Sequence, residues 1–110
     1  MNAVADQMRE LAPGVYPDGT QWELRLYVAG QSTRSLAAMA NLRRICDRYL
    51  PGSATIEIID LVAEPHRAEA DQILAIPTVV RRQPPPPRKV YGDLSDEAST
   101  LVGLEVRRWL

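Results

Sequence analysis

A strand, a long helix and a second strand follow one another within about forty residues, and that succession limits the chain to few folds. Trp22 to Ala29 reads WELRLYVA. Trp22, Leu24, Leu26 and Val28 alternate with Glu23, Arg25 and Tyr27, the period of a half-buried strand. Gly30 closes it. Ser32 stands where its hydroxyl can cap a helix over Thr33 to Tyr49. Leu36, Met39, Leu42, Cys46, Tyr49 and Leu50 fall on one helical stripe, with Arg34, Asn41, Arg44 and Arg48 on the far side. Pro51-Gly52 stops the helix, and Ala54 to Leu61 (ATIEIIDL), rich in β-branched residues, reads as the next strand. Two such strands joined by a helix form a βαβ unit with a right-handed crossover.

Downstream, Glu64-Pro65 opens a shorter helix that runs to about Ala75, with Pro65 in a first-turn position that needs no N–H. Ile76-Pro77 ends it, because the residue before proline disfavours helix. Thr78 to Arg82 and Arg88 to Gly92 read as two strands. Gln83 and the run Pro84 to Pro87 join them, and those prolines cannot donate ladder hydrogen bonds. Ser95 caps a last helix, Asp96 to about Trp109. Residues Met1 to Thr20 form an appendage, read as a flexible tail. Val4, Met8 and Leu11 share helical spacing within it, and Pro13, Gly14, Pro17 and Gly19 break it into turns. The domain proper is residues 21–110. Its order, β-α-β-α-β-β-α, is the α/β order of the thioredoxin-like fold.

Composition narrows the function classes. The 13 Lys+Arg against 14 Asp+Glu give a nearly neutral chain, which argues against a general nucleic-acid or membrane binder. No apolar run approaches the ~20 residues of a membrane span. The start lacks a signal-peptide pattern, so a cytoplasmic address is the default expectation. With a single cysteine, Cys46, and a single histidine, His66, the chain offers neither an internal disulfide nor a Cys/His zinc site. The thioredoxin order invites a redox reading. Yet the segment where the first strand meets the first helix, Gly30 to Arg34, holds no sulfur, and exchange needs a thiolate. Cys46 lies on the apolar stripe as a core thiol. Asp93 and Asp96 bracket a turn and a helix cap, which explains both without acid–base chemistry. His66 is read as a solvated side chain, with a pH-sensitive interface contact as the alternative. No cofactor is expected, and the protein reads as a binding protein, not an enzyme.

Several motifs carry a family resemblance. LRLYVAG (Leu24 to Gly30), DQILAIPT (Asp71 to Thr78), PPPRK (Pro85 to Lys89), YGDLSD (Tyr91 to Asp96) and VGLEV (Val102 to Val106) resemble the signatures of the KaiB family over about Trp22 to Val106. The resemblance implies a fold-switching protein. In the family, a ground state, often a tetramer, has a rearranged C-terminal half, and a rarer monomer has the thioredoxin-like order. The rarer form docks on a KaiC-like RecA-type ATPase, and KaiA or a SasA-like kinase are further partners. A homo-oligomer, dimer or tetramer, is the implied resting form. Carried over by position, the docking helix is Pro65 through Ala75. Glu69, Asp71, Ile73, Leu74 and Ala75 match its pattern, and Gln72 stands where a lysine is usual. Pro77 matches the proline that is cis in thioredoxin-like states. Gly103 and Glu105 match positions that set the balance between folds, with Glu105 in place of an aspartate. Glu57, in the second strand, stands where the cyanobacterial pattern has a basic residue, which fits a bacterium without KaiA. The alternative is a permanently thioredoxin-like interaction domain related to the sensor domain of the kinase SasA, with another partner.

Two local features stay open to two readings. Arg81, Arg82, Arg88 and Lys89 flank the proline run, either as a solvated hairpin tip or as a basic rim for an acidic partner. Gly103 interrupts the last helix at a cost of about 1 kcal/mol against alanine. It either permits close packing or weakens the helix so that the segment can switch, and the resemblance favours switching. On that reading Gly103→Ala favours the thioredoxin-like form.

Overall fold

Alternation along the first strand becomes two faces of a sheet. In the computed structural model, which describes residues 19–106, β1 (Trp22–Val28) lies inside a four-stranded mixed sheet of order β2-β1-β3-β4. It pairs in parallel with β2 (Ala54–Asp60) and antiparallel with β3 (Thr78–Gln83), and β4 (Arg88–Tyr91) pairs antiparallel with β3. Helix α1 (Thr33–Tyr49) supplies the crossover between β1 and β2, and α2 (Glu97–Leu104) follows β4. The thioredoxin-like α/β order is therefore present, with one element changed.

That element is the expected docking helix. Pro65–Glu69 forms only a short 3₁₀ turn. Gln72 takes a left-handed φ of 53°, its N–H bonds to the Glu69 carbonyl at 3.2 Å, and the Ile73 N–H reaches back to Ala68 at 2.9 Å. These two bonds form the Schellman type of helix ending, so the chain leaves helical geometry well before Ala75.

Trp22, Leu24, Leu26 and Val28 face a core built with Ala38, Leu42, Ile45, Cys46 and Tyr49 of α1 and Leu104 of α2. The apolar stripe of α1 is rotated from the expected one: Ser35 and Ala38 are buried, and Leu36 is exposed. The small Ser35 fits beneath the sheet end because its Oγ accepts from the Ala29 N–H at 3.1 Å. Ser32 caps α1 as expected, accepting from the Ser35 N–H at 3.2 Å.

The cap of α2 is Asp96, which accepts from the Ser99 N–H at 3.1 Å, not Ser95. The helix ends at Leu104, short of the expected Trp109. Glu105 turns left-handed at φ 56°, with its N–H on Val102 at 3.1 Å and that of Val106 on Leu101 at 2.9 Å. The appendage up to residue 18, and Trp109 itself, lie outside the described residues.

On the other face of the sheet, Tyr27, Ile59 and Val80 form a second, smaller core, closed by Leu61 and Ile73. The segment between β2 and β3 is thus held against the face opposite α1.

Candidate docking site

The segment between Asp60 and Thr78 is fixed at both ends. Asp60 Oδ1 accepts from the Gly30 N–H and the Val62 N–H, both at 2.9 Å, and these bonds hold its carboxyl below the ordinary range. At the far end Thr78 Oγ1 donates to the Ala75 carbonyl at 2.6 Å, next to a buried Pro77 whose peptide bond is cis. The cis proline matches the expectation from the motif.

Between these ends the segment is pinned by one carboxylate. Asp71 accepts from Tyr27 Oη at 2.6 Å and Arg82 Nη1 at 2.8 Å, and Arg25 Nη1 lies 3.5 Å away. Its side chain is only 9% exposed, so it faces the sheet and is not available to a partner. Burial, and next the hydrogen bond to Asp71, raise the Tyr27 pKa. The ionic chain continues through Arg25 to Glu57 at 3.2 Å and from Glu57 to Arg67 at 3.0 Å. The Arg67 bond is the main reason the Glu57 carboxyl is lowered.

Of the residues carried over as docking contacts, Pro65, Glu69, Leu74 and Ala75 are exposed. Ile73 is half-buried against Tyr27, Ile59 and Val80, so it belongs to the sheet and not to a free surface. Leu74 is the opposite case at 89% exposed, with Val62 (71%) and Ile76 (39%) also open to solvent. Ala68, Glu69, Gln72, Ile73 and Leu74 line a depression of ≈ 330 Å³.

Three of the basic residues read as a hairpin tip or a basic rim make contacts within the molecule. Arg81 is buried. It donates to the carbonyls of Leu104 (2.8 Å) and Pro86 (2.7 Å) and lies 5.3 Å from the centre of the Trp22 ring. Alternation along β3 explains this, because Arg81 shares the helix-side face with Val79. Arg88 pairs with Glu105 at 2.7 Å and Lys89 donates to the Gln72 carbonyl at 3.0 Å. All three therefore tie parts of this molecule together.

Gly103 sits against β4. A Cβ there would meet Val90 Cγ2 at 2.5 Å, so close helix–strand packing requires the glycine. The expectation that alanine favours this form left out that contact.

Sequence reasoning missed Tyr27 and Arg82 as anchors of the segment. The available signal was a tyrosine on the polar side of β1, because a buried phenol needs a hydrogen-bond partner. At the position that invites a dithiol, Ser32 Oγ and Ser35 Oγ stand 2.9 Å apart. Cys46 is buried, and burial pushes its thiol up to about 12. Among the described residues no helix is long and apolar enough to cross a membrane.

The family model for the KaiB domain matches residues 25–106, from the anchoring strand through the end of the last helix. The chain belongs to the KaiB family. It is 42% identical over 83 residues to the circadian clock protein KaiB3 of Synechocystis sp., covering 76% of this chain and 81% of that protein. It is 43% identical over 83 residues to the circadian clock oscillator protein KaiB of Prochlorococcus marinus, covering 76% and 70%. Among solved structures the fold is similar to the N-terminal domain of SasA from Synechococcus elongatus, with a TM-score of 0.64 at 18% identity over 84% of this chain and 88% of that one. It is also similar to mitochondrial thioredoxin 3 of Saccharomyces cerevisiae, with a TM-score of 0.62 at 12% identity over 94% and 86%. The KaiB fold is thus thioredoxin-like here, and the homologues are circadian clock proteins.

Proposed function

We propose that this protein is a non-enzymatic adaptor that docks on a KaiC-like RecA-type ATPase and so modulates a circadian or stress-response timing system. The observation that carries this reading is Leu74, almost fully exposed on a segment that Asp71 fixes to the sheet. An apolar anchor held in place loses little conformational entropy on binding, which is the usual condition for an energetic hot spot. Pro65, Glu69 and Ala75 border it as surrounding contacts. Asp71 and Ile73 act from beneath, as positioning residues. In this proposal Pro77, Gly103 and Glu105 set the balance between this fold and a rearranged, oligomeric resting form, and the protein works in the cytoplasm.

Pull-down of a KaiC-like ATPase from the same genome tests the docking surface. Leu74→Asp is the variant of choice, since Ile73→Asp would disturb the smaller core. Loss of capture by a folded Leu74→Asp protein is expected, and capture equal to wild type refutes the surface.

Similarity to the SasA N-terminal domain favours a second reading, a permanently thioredoxin-like interaction domain. Size in solution separates the two. A tetramer or dimer with a rearranged C-terminal half supports switching, and a monomer at all concentrations supports the permanent form.

A further inference from the structure

Cations in this molecule are unevenly engaged. Arg25, Arg67, Arg82 and Arg88 pair with carboxylates within 3.5 Å, and Lys89 bonds to a backbone carbonyl. Helix α1 is different. Among the described residues Arg43 makes no side-chain hydrogen bond or ion pair, and Arg44 bonds only the neutral Asn41 Oδ1, at 2.9 Å. Asn41 is itself held by the Asp93 carbonyl at 2.8 Å, so Arg44 is oriented without being neutralised. Arg48 lies over the Tyr49 ring at 5.3 Å. Its carboxylate neighbour Glu97 is 3.8 Å away, and its side chain is 64% exposed.

These arginines share one stripe. Leu36, Ala40, Arg43, Arg44, Asp47 and Arg48 follow the three- and four-residue steps that align side chains along a helix. Ala40 and the four charged residues line a shallow depression of ≈ 550 Å³. Leu36, 48% exposed, stands one turn before Ala40. The stripe thus has an apolar start and a basic end, separated by roughly 11 Å at 1.5 Å per residue.

We propose that the outer face of α1 binds an acidic protein segment, a helix that places a bulky apolar side chain on Leu36 and Ala40 and carboxylates on Arg43, Arg44 and Arg48. Charge complementarity selects the partner: three arginines face one aspartate there, and arginine forks match carboxylates. Near-neutrality of the whole chain favours a protein over a nucleic acid, whose phosphates reward a basic molecule. Helix α1 packs on the face of the sheet opposite Ile73, so this surface and the Leu74 surface can be occupied together. The inference stands whether or not the ATPase reading holds.

A short synthetic helical peptide with a leucine about two turns from a glutamate cluster is the probe, titrated by fluorescence anisotropy against the full chain. Saturable binding is expected. Arg43→Glu with Arg44→Glu weakens it by about a hundredfold, and Leu36→Ala by about tenfold. Both variants retain the wild-type circular dichroism spectrum, since all three side chains are exposed. Failure of the peptide to saturate overturns the proposal. Equal affinity for the charge-reversed protein, or for a peptide with glutamines in place of glutamates, does so too. Tighter binding of duplex DNA than of the peptide assigns the stripe to phosphates and overturns it as well.

Discussion

Tyr27 donates its phenolic hydrogen to Asp71 across 2.6 Å, joining buried β1 to a segment 44 residues further along the chain. The same carboxylate takes Arg82, so one side chain ties the Leu74 segment to both β1 and β3. Asp71→Ala removes the acceptor of the Tyr27 hydroxyl and of Arg82, leaves Arg25 with Glu57 alone, and should lower stability by about 2–3 kcal/mol. Tyr27→Phe should cost less. A double-mutant cycle in urea should return a coupling of about 1 kcal/mol or more. Additive effects would show that the bond contributes nothing of its own.

Arg81 binds carbonyls at both ends of the C-terminal third while stacking on Trp22. Arg81→Met removes two charge-assisted hydrogen bonds and should destabilise the protein by about 2–4 kcal/mol. Amide exchange in α2 should accelerate more than exchange in β2. Arg81→Lys should recover only part of the loss, because its single ammonium nitrogen cannot replace the two guanidinium nitrogens that reach separate carbonyls. Full recovery by lysine would contradict this account.

At position 103 two terms oppose each other. Alanine gains about 1 kcal/mol of helix propensity. Its Cβ meets Val90 Cγ2 at 2.5 Å, and overpacking of that kind costs about 1–3 kcal/mol. Gly103→Ala should therefore be neutral or destabilising in the wild-type background and stabilising once Val90→Ala clears the space. Denaturation midpoints of the four proteins in this cycle measure it. Identical effects of Gly103→Ala in both backgrounds would remove the packing explanation.

Alkaline pH should weaken the fold. Burial pushes the Cys46 thiol up to about 12, and Tyr27 is raised by burial and then by Asp71. A raised folded pKa means the native state holds its proton longer than the unfolded chain. Stability is then complete below the unfolded thiol pKa, about 9, and falls as pH rises toward about 12. The slope is about 1.4 kcal/mol per pH unit for one group. Cys46→Ala should flatten that limb, and an equally steep limb in the variant would exclude the thiol as its cause. At the acid end the sign reverses. Glu57, lowered chiefly by Arg67, and Asp60, Asp93 and Asp96, each lowered by bonds at turns and caps, stabilise above the ordinary carboxylate range and stop doing so as pH falls below it.

Much of this architecture was legible because it is local. Alternation in β1, the Ser32 cap, the Pro51-Gly52 stop and the β-branched run of β2 each depend on neighbours within a few residues, and each element stands where its signals put it. The short turn at Pro65 was not legible. Its apolar residues are drawn inward at Ile73 and outward at Leu74 by contacts with strands far away in sequence. The same holds for the basic residues near the prolines. Its place beside the proline run made Arg81 a surface charge, but its strand register turns it toward the core, where carbonyls 5 and 23 residues away accept it. The exposure of Leu36 was missed for a related reason: small residues at 35 and 38 let the helix roll toward the sheet.

Because β1 separates β2 from β3 in the sheet, the chain divides into sequence-local halves that meet along one antiparallel ladder. The first half contains a complete strand–helix–strand unit, and the second a hairpin with its covering helix. A backbone cut between Ala63 and Glu64 falls in exposed chain and severs neither unit. Two co-expressed fragments, 1–63 and 64–110, should therefore find each other and co-purify, rejoined through β1, β3 and the grip of Asp71 on Tyr27. Fragments that never associate would mean that covalent continuity, and not the ladder, keeps the halves together.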